Sequence, residues 1–296
     1  MVKQTIAWAA SQRQEHLEQL KALLSIPSVS TQAEHTPDIV RTANWLADHM
    51  RAIGLNEVSV RPTDRHPVVY GEWVQDPSSP TVLIYGHYDV QPAEPLELWN
   101  TSPFSPTVKH GNIYARGAAD DKGQLFIHLK ALEAFFETAG RPPVNVKLLI
   151  EGEEEIGSPS LGEFVANHQD MLSADISLIS DSHILDVDKP ALLYGLRGIC
   201  YMEIELQGPK QDLHSGSFGG AIHNPAEVLC QIVGALKNDQ GHITIPGFYD
   251  RVRPLSDAER AALASIPFSE KQFKREAGVH KTWGEAGYTV REQISA

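Results

Sequence analysis

Hydrophobic positions recur at helical spacing along the first fifty residues. Leu17, Leu20 and Leu24 lie three and four residues apart and predict an amphipathic helix that stops before Pro27. Thr36 can cap a second helix with Pro37 at its first position; Val40, Ala43, Ala47 and Met50 form its stripe, and Gly54 ends it. The period then shortens to two. Val58 and Val60 alternate with polar neighbours, residues 67–70 are short and β-prone, and residues 81–85 form the continuous apolar run of a strand buried on both faces. A helix over 122–138, a strand over 145–150, a helix after Ser158-Pro159 and a strand over 175–180 follow. This alternation predicts an α/β domain with a mostly parallel, helix-covered sheet.

A second unit begins near Gly195. Residues 198–207 alternate as a strand, residues 216–220 read as a flexible loop, and Asn224-Pro225 cap and open a helix running to about Leu236. The remainder is charged and Pro-containing, with no closing element over 288–296. The expected organisation is a larger α/β domain over 1–196 and a smaller α+β domain over 197–296, the latter incomplete.

Composition narrows the classes. At 42% hydrophobic and 21% charged residues, the chain matches a globular protein able to bury a core. Lys plus Arg is 25 and Asp plus Glu is 38, a net −13 that repels polyphosphate, so nucleic acid is excluded as a favoured partner. The same surplus, gathered in one place, would attract metal cations. Cys200 and Cys230 are too few for a disulfide framework or a thiolate zinc site, and their apolar surroundings predict buried, reduced thiols. No stretch approaches the ~18–20 apolar residues needed to cross a bilayer, and residues 6–10 are too short for a signal peptide's apolar region. The expectation is a cytoplasmic protein without a membrane partner.

In open α/β sheets ligands bind beyond the carboxyl ends of the strands, so the loops there matter most. They carry Gly86-His87-Tyr88-Asp89 after the strand over 81–85, and Glu151-Gly152-Glu153-Glu154-Glu155 after the strand over 145–150. Asp181 follows the strand over 175–180, and Gly117-Ala118-Ala119-Asp120-Asp121-Lys122-Gly123 precedes the long helix. His87 and Asp89, two apart in an extended segment, point to one side, so one can ligate while the other orients the imidazole. Imidazole with carboxylates and no thiolate suits zinc, cobalt or manganese. Three adjacent acids ordinarily make a solvated loop. Directly after an apolar strand they instead enter a shared site and repel one another unless a cation or proton compensates.

Residues 86–92, 116–123 and 151–158 together resemble the signature blocks of the M20 metallopeptidases, the dinuclear zinc group of carnosinase-like dipeptidases, aminoacylases and glutamate carboxypeptidases; Asp181-Ser182 and residues 212–216 also fit. The resemblance implies a zinc-exopeptidase-like catalytic domain with a lid that mediates homodimerisation. It makes His87 a ligand of one zinc, Asp89 its supporting carboxylate and Asp120 the carboxylate bridging two metals. It makes Glu154 the general base, Glu155 a ligand of the second zinc, and Asp181 the residue that completes the first. His214 would reach a partner's active site as an oxyanion donor. Aspartate rather than glutamate at Asp181 resembles the aminopeptidase and dipeptidase branch, which implies dipeptide or small-peptide substrates. The family also implies a cis Asp120-Asp121 bond. It takes a further histidine for the second zinc from a segment following the lid, and no such segment is present, so residues 1–296 alone are expected to bind one metal better than two and to hydrolyse little. An N-acyl amino acid amidohydrolase and a non-catalytic module that has lost its metal centre are the competing readings. His66, His110, His128, His183 and His223 are expected to be exposed or structurally bonded, and Trp45, Trp73 and Trp99 to pack.

Overall fold

The computed structural model describes residues 1–295 except 183, 186–188, 194 and 197. It divides into two compact units, Met1–Pro190 and Ala191–Ala296. The first opens with helices α1 (Val2–Ser11), α2 (Arg13–Leu24) and α3 (Thr36–Ala52), followed by strands β1 (Glu57–Arg61), β2 (Val68–Trp73) and β3 (Thr81–His87). A small hairpin, β4 (Thr107–Lys109) and β5 (Asn112–Tyr114), precedes α4 (Lys122–Ala139), β6 (Asn145–Glu151), α5 (Leu161–Asn167), α6 (Gln169–Leu172) and β7 (Ile176–Ile179).

Five strands form one sheet in the order β1-β2-β6-β3-β7. The sheet is mixed, which corrects the expectation of a mostly parallel one: β6 and β7 run parallel to β3, whereas β1–β2 and β2–β6 are antiparallel. Connection length explains the difference. The six residues 62–67 between β1 and β2 can only turn the chain back, whereas β3 reaches β6 through the crossover that contains α4.

Side-chain alternation assigns each sheet face its own core. Val69, Ile84, Val146, Leu148 and Ile150 pack against Leu23, Ile39, Leu46, Met50, Leu125 and Leu129 of α2, α3 and α4. On the other face, Val68, Tyr70 and Leu149 meet Phe164 and Leu172 of α5 and α6. The stripe of α3 is Ile39, Ala43, Leu46, Ala47 and Met50; Val40, expected within it, is 45% exposed. One step along a helix turns 100°, and that carries Val40 off the stripe once Ile39 is buried. The N-terminal residues also form a helix, α1, tied to α4 by a 2.9 Å hydrogen bond between the hydroxyls of Thr5 and Thr138. Trp45 and Trp73 pack against the core, and Trp99 donates from Nε1 to the Ala93 carbonyl.

The second unit holds α7 (Ser215–Phe218), α8 (Pro225–Ala235), α9 (Asp257–Ser265), α10 (Glu270–Glu276) and α11 (Val290–Ser295). Asn224 caps α8 as expected, its Oδ1 accepting from the Ala226 N–H. Four expectations fail here. The described residues of 198–207 form no strand: an alternating pattern suits a half-buried strand, but a strand needs a ladder partner for its N–H and C=O groups. Residues 215–218 are a helical turn, and residues 290–295 close the described chain with a helix. Cys200 and Cys230 are both exposed, Cys200 lying in that unpaired stretch and Cys230 on α8, which buries none of its residues. No described helix is long and apolar enough to cross a membrane.

His49 gives the first unit a pH dependence. Its ring stacks on Trp45 at 4.9 Å and lies against Phe126, its Nε2 is buried without a hydrogen-bond partner, and burial, aided by the Lys130 and His16 charges, pushes its pKa down to about 4. The folded state therefore binds fewer protons than the unfolded chain, whose histidine titrates near 6.5. The stability this neutral ring contributes is complete above pH 6.5 and is lost as pH falls toward about 4, up to roughly 3 kcal/mol. In denaturant titrations, His49→Phe should flatten the decline over that interval; an unchanged slope would show that other groups cause it.

Candidate metal centre

The chain's candidate ligands emerge where the parallel strands end. His87 is the last residue of β3, Asp120 precedes α4 on the crossover from β3, Glu154 and Glu155 follow β6, and Asp181 follows β7. Donor atoms of His87, Asp120 and Asp181 all lie within 4.8 Å of one another. His87 Nε2 is 3.1 Å from Asp120 Oδ1 and 3.7 Å from Asp181 Oδ2. The imidazole is fully buried, while the Asp120 side chain is 63% exposed, so the trio is anchored inside and open outside. The Asp120-Asp121 peptide bond is cis.

Asp89 organises this end of the sheet. It is completely buried; its backbone carbonyl accepts from His87 Nδ1 at 3.1 Å and its Oδ1 lies 3.3 Å from the same nitrogen, fixing the ring so that Nε2 faces Asp120 and Asp181. The same carboxylate accepts from the Glu154 N–H at 3.2 Å through Oδ1 and from the Glu155 N–H at 3.1 Å through Oδ2. One residue thus sets both the histidine and the glutamate turn.

The acidic run divides by burial. Glu151 is buried and accepts from the Tyr85 hydroxyl at 2.5 Å and the Ser158 hydroxyl at 2.8 Å. Glu153 is also buried and accepts from the His66 and Ser160 N–H groups and from the Thr63 and Ser160 hydroxyls. These bonds hold its carboxyl below the usual range despite burial. Glu154 and Glu155 are half-buried; Glu155 stands outside the trio and accepts from Gln91 Nε2 at 2.8 Å. At Gly152 the Tyr88 ring approaches the backbone so closely that any Cβ would collide with it, which explains a glycine inside the acidic run.

The electrostatics test whether a cation belongs here. Burial opposes charge on His87, but its hydrogen bond to Asp89 and the charges of Asp89, Asp121 and Asp181 outweigh it and raise the imidazole to about 10. Burial pushes Asp121 up to about 7 and raises Glu154, Glu155 and Asp181 above the ordinary carboxylate range. Asp121 Oδ1 is buried without a hydrogen-bond partner. Clustered carboxylates that favour protons around a histidine are compensated equally by a divalent ion, and one imidazole with oxygen donors is a set that zinc, cobalt and manganese accept. The residues fit such an ion.

Gln91, Lys122 and Gln124 were not singled out by sequence reasoning, and His128 is structurally bonded as expected. Gln91 holds Glu155, and Lys122, wholly buried, donates to the Ile26 and Leu23 carbonyls at the end of α2. On α4, Gln124 and His128 touch the loops beside Asp120 and Asp181. A signal existed for the last pair: two polar residues four apart in a helix that is otherwise largely apolar. His66 bonds the Ser30 carbonyl, a structural role as expected, and His110 and His223 are exposed; His183 lies outside the described residues. His214 belongs to the second unit, where it is exposed and its Nδ1 accepts from the Gly216 N–H.

A histidine and two carboxylates converging beyond the strands of an α/β sheet form a candidate metal centre. Residues 83–292 match the model of peptidase family M20/M25/M40, and the chain belongs to that family. It is 37% identical over 278 residues to the Cys-Gly metallodipeptidase dug1 of Schizosaccharomyces pombe, covering 90% of this chain and 58% of the relative. It is 35% identical over 281 residues to the human Beta-Ala-His dipeptidase, covering 90% and 55%. Its fold matches the crystal structure of the M20 family metallo-carboxypeptidase Sso-CP2 from Sulfolobus solfataricus with a TM-score of 0.78 and 34% identity, over 95% of this chain and 62% of that one. The chain thus spans little more than half the length of these relatives.

The Asp89 clamp has a direct test. In Asp89→Asn the amide has one acceptor oxygen, and its NH2 group faces an N–H donor, so one charge-assisted hydrogen bond worth about 1.5–3 kcal/mol is lost. Amide exchange at Glu154 or Glu155 should accelerate by roughly one to two orders of magnitude with little change inside β6. Unchanged exchange at both would show that the carboxylate does not hold the turn.

Proposed function

We propose that the protein is a zinc-dependent dipeptidase that cleaves the amide bond of dipeptides or small peptides, with two metal ions per complete active site. The observation that carries this reading is the convergence of His87, Asp120 and Asp181 within 4.8 Å beside a glutamate turn held by the same carboxylate that orients His87. Membership of the family and the dipeptidases among its relatives support the substrate class.

In this reading His87, Asp120 and Asp181 hold the first ion, and Asp120 with Glu155 supplies donors to the second. A divalent ion bound there polarises a scissile carbonyl and makes water acidic enough to attack near neutral pH. Glu154 accepts the attacking water's proton on a carboxylate oxygen and delivers it to the leaving amine. Asp89 keeps the imidazole oriented and fixes the backbone from which Glu154 projects. Gln91 restrains Glu155. His214 acts in a second copy of the chain as a donor to the oxyanion, which makes the working species a homodimer formed through the second unit. Among the described residues the first ion has three donors and the second two, so the first binds more tightly.

Glu154→Gln should keep its metal while losing about 10²–10⁴-fold in turnover of Cys-Gly or β-Ala-His by the whole protein, measured as amine release in zinc, cobalt or manganese buffers. Metal lost together with activity would move Glu154 from base to ligand. Cleavage of N-acetyl amino acids in preference to dipeptides would favour the amidohydrolase, and neither metal nor turnover in the wild type would favour a non-catalytic module. His214→Ala should lower kcat without changing metal content, and sedimentation should give a dimer; a fully active monomer would remove both His214 and the partner from the mechanism.

A further inference from the structure

Two side chains near the start of α4, with no part in the chemistry above, join the loops that carry Asp120 and Asp181. Gln124 Nε2 donates to the Ala119 carbonyl at 2.6 Å and lies 3.5 Å from the Ser182 carbonyl, while its Oε1 is buried without a partner. One helical turn later, His128 Nε2 shares a 2.6 Å hydrogen bond with Ser180 Oγ. Residues four apart project from the same helix face, so the two reach the site from one side. Ala119 immediately precedes Asp120, and Ser180 and Ser182 flank Asp181.

Neither aspartate is fixed well by its own segment. Asp181 follows a four-residue strand that, among the described residues, pairs only with β3, at the edge of the sheet, and Asp120 lies on an exposed turn. Two carboxylates drawn together repel, and something rigid must oppose their separation. Helix α4 meets that need, because Leu125 and Leu129, each next to one of the two polar positions, bury it in the core.

We propose that Gln124 and His128 are positioning residues that use α4 to hold Asp120 and Asp181 at the separation one divalent ion needs. The inference rests on the reading of these aspartates as ligands of the first ion. Groups that orient metal ligands from behind typically contribute 10–100-fold to metal affinity, and that sets the expected size.

The test is titration of the 296-residue chain with Co²⁺ alone, followed by visible absorption, with thermal unfolding of the metal-free proteins alongside. His128→Leu, Ser180→Ala and Gln124→Leu should each weaken the first Co²⁺ by about tenfold or more. The double variant His128→Leu/Ser180→Ala should be no weaker than the worse single one, since both remove one shared hydrogen bond. Thr138→Val, at the far end of the same helix, should change stability without changing Co²⁺ affinity. Wild-type affinity in Ser180→Ala and Gln124→Leu would overturn the proposal, and so would equal weakening in Thr138→Val, which would reduce the effect to general stability. If His128→Leu fails to fold, Ser180→Ala decides, because it leaves the imidazole packed. Wild-type Co²⁺ binding by Asp181→Ala would instead overturn the ligand assignment itself, a failure separate from that of the α4 contacts.

Discussion

The repulsion among acidic side chains gathered at one end of a sheet is the constraint to which the rest of the first unit answers. Asp89 and Asp121 are buried there, and Asp120, Glu154, Glu155 and Asp181 stand at the opening. An arrangement like this is unfavourable unless hydrogen bonds and positive charge offset it. The protein supplies the hydrogen bonds: backbone N–H groups to Asp89, Asp121 and Glu153, and hydroxyls to Glu151 and Glu153. A divalent cation supplies the charge in the proposed function.

Asp89 shows how economically this is done. A carboxylate has two oxygens and several acceptor directions, enough to serve an imidazole and two successive backbone amides. The ring and the glutamate turn therefore cannot move independently. The α4 side chains Gln124 and His128 stand in the same relation to the other half of the centre, contacting both loops that carry its exposed aspartates. A helix-covered sheet makes such support available because α4 packs against β3 and, through His128, reaches Ser180 just past β7.

The chain belongs to peptidase family M20/M25/M40, and the structure shows how differently its clustered acids are held. The acidic run illustrates the point. Four glutamates within five residues look alike in the sequence, but two are consumed by internal hydrogen bonds and two stand at the site. Burial and hydrogen bonding, and not residue type, separate the first pair from the second.

Local information was enough for much of the fold. Helices α2, α3, α4 and α8 and strands β3, β6 and β7 follow from periodicity and caps, since each is specified by neighbours along the chain; His87, Asp89 and Asp181 stand out because acids and imidazole recur at equivalent strand ends, and Asp120 because it opens the long helix within a motif that resembles the family's. Strand direction, the failure of residues 198–207 to form a strand, and the exposure of Cys200 depend on whether a pairing partner is present, which no local pattern encodes. The division of labour within the glutamate run, and the work of Gln91, Gln124 and His128, depend on contacts between residues up to 90 positions apart. Periodicity reports the face a residue presents, and only the folded chain determines what that face meets.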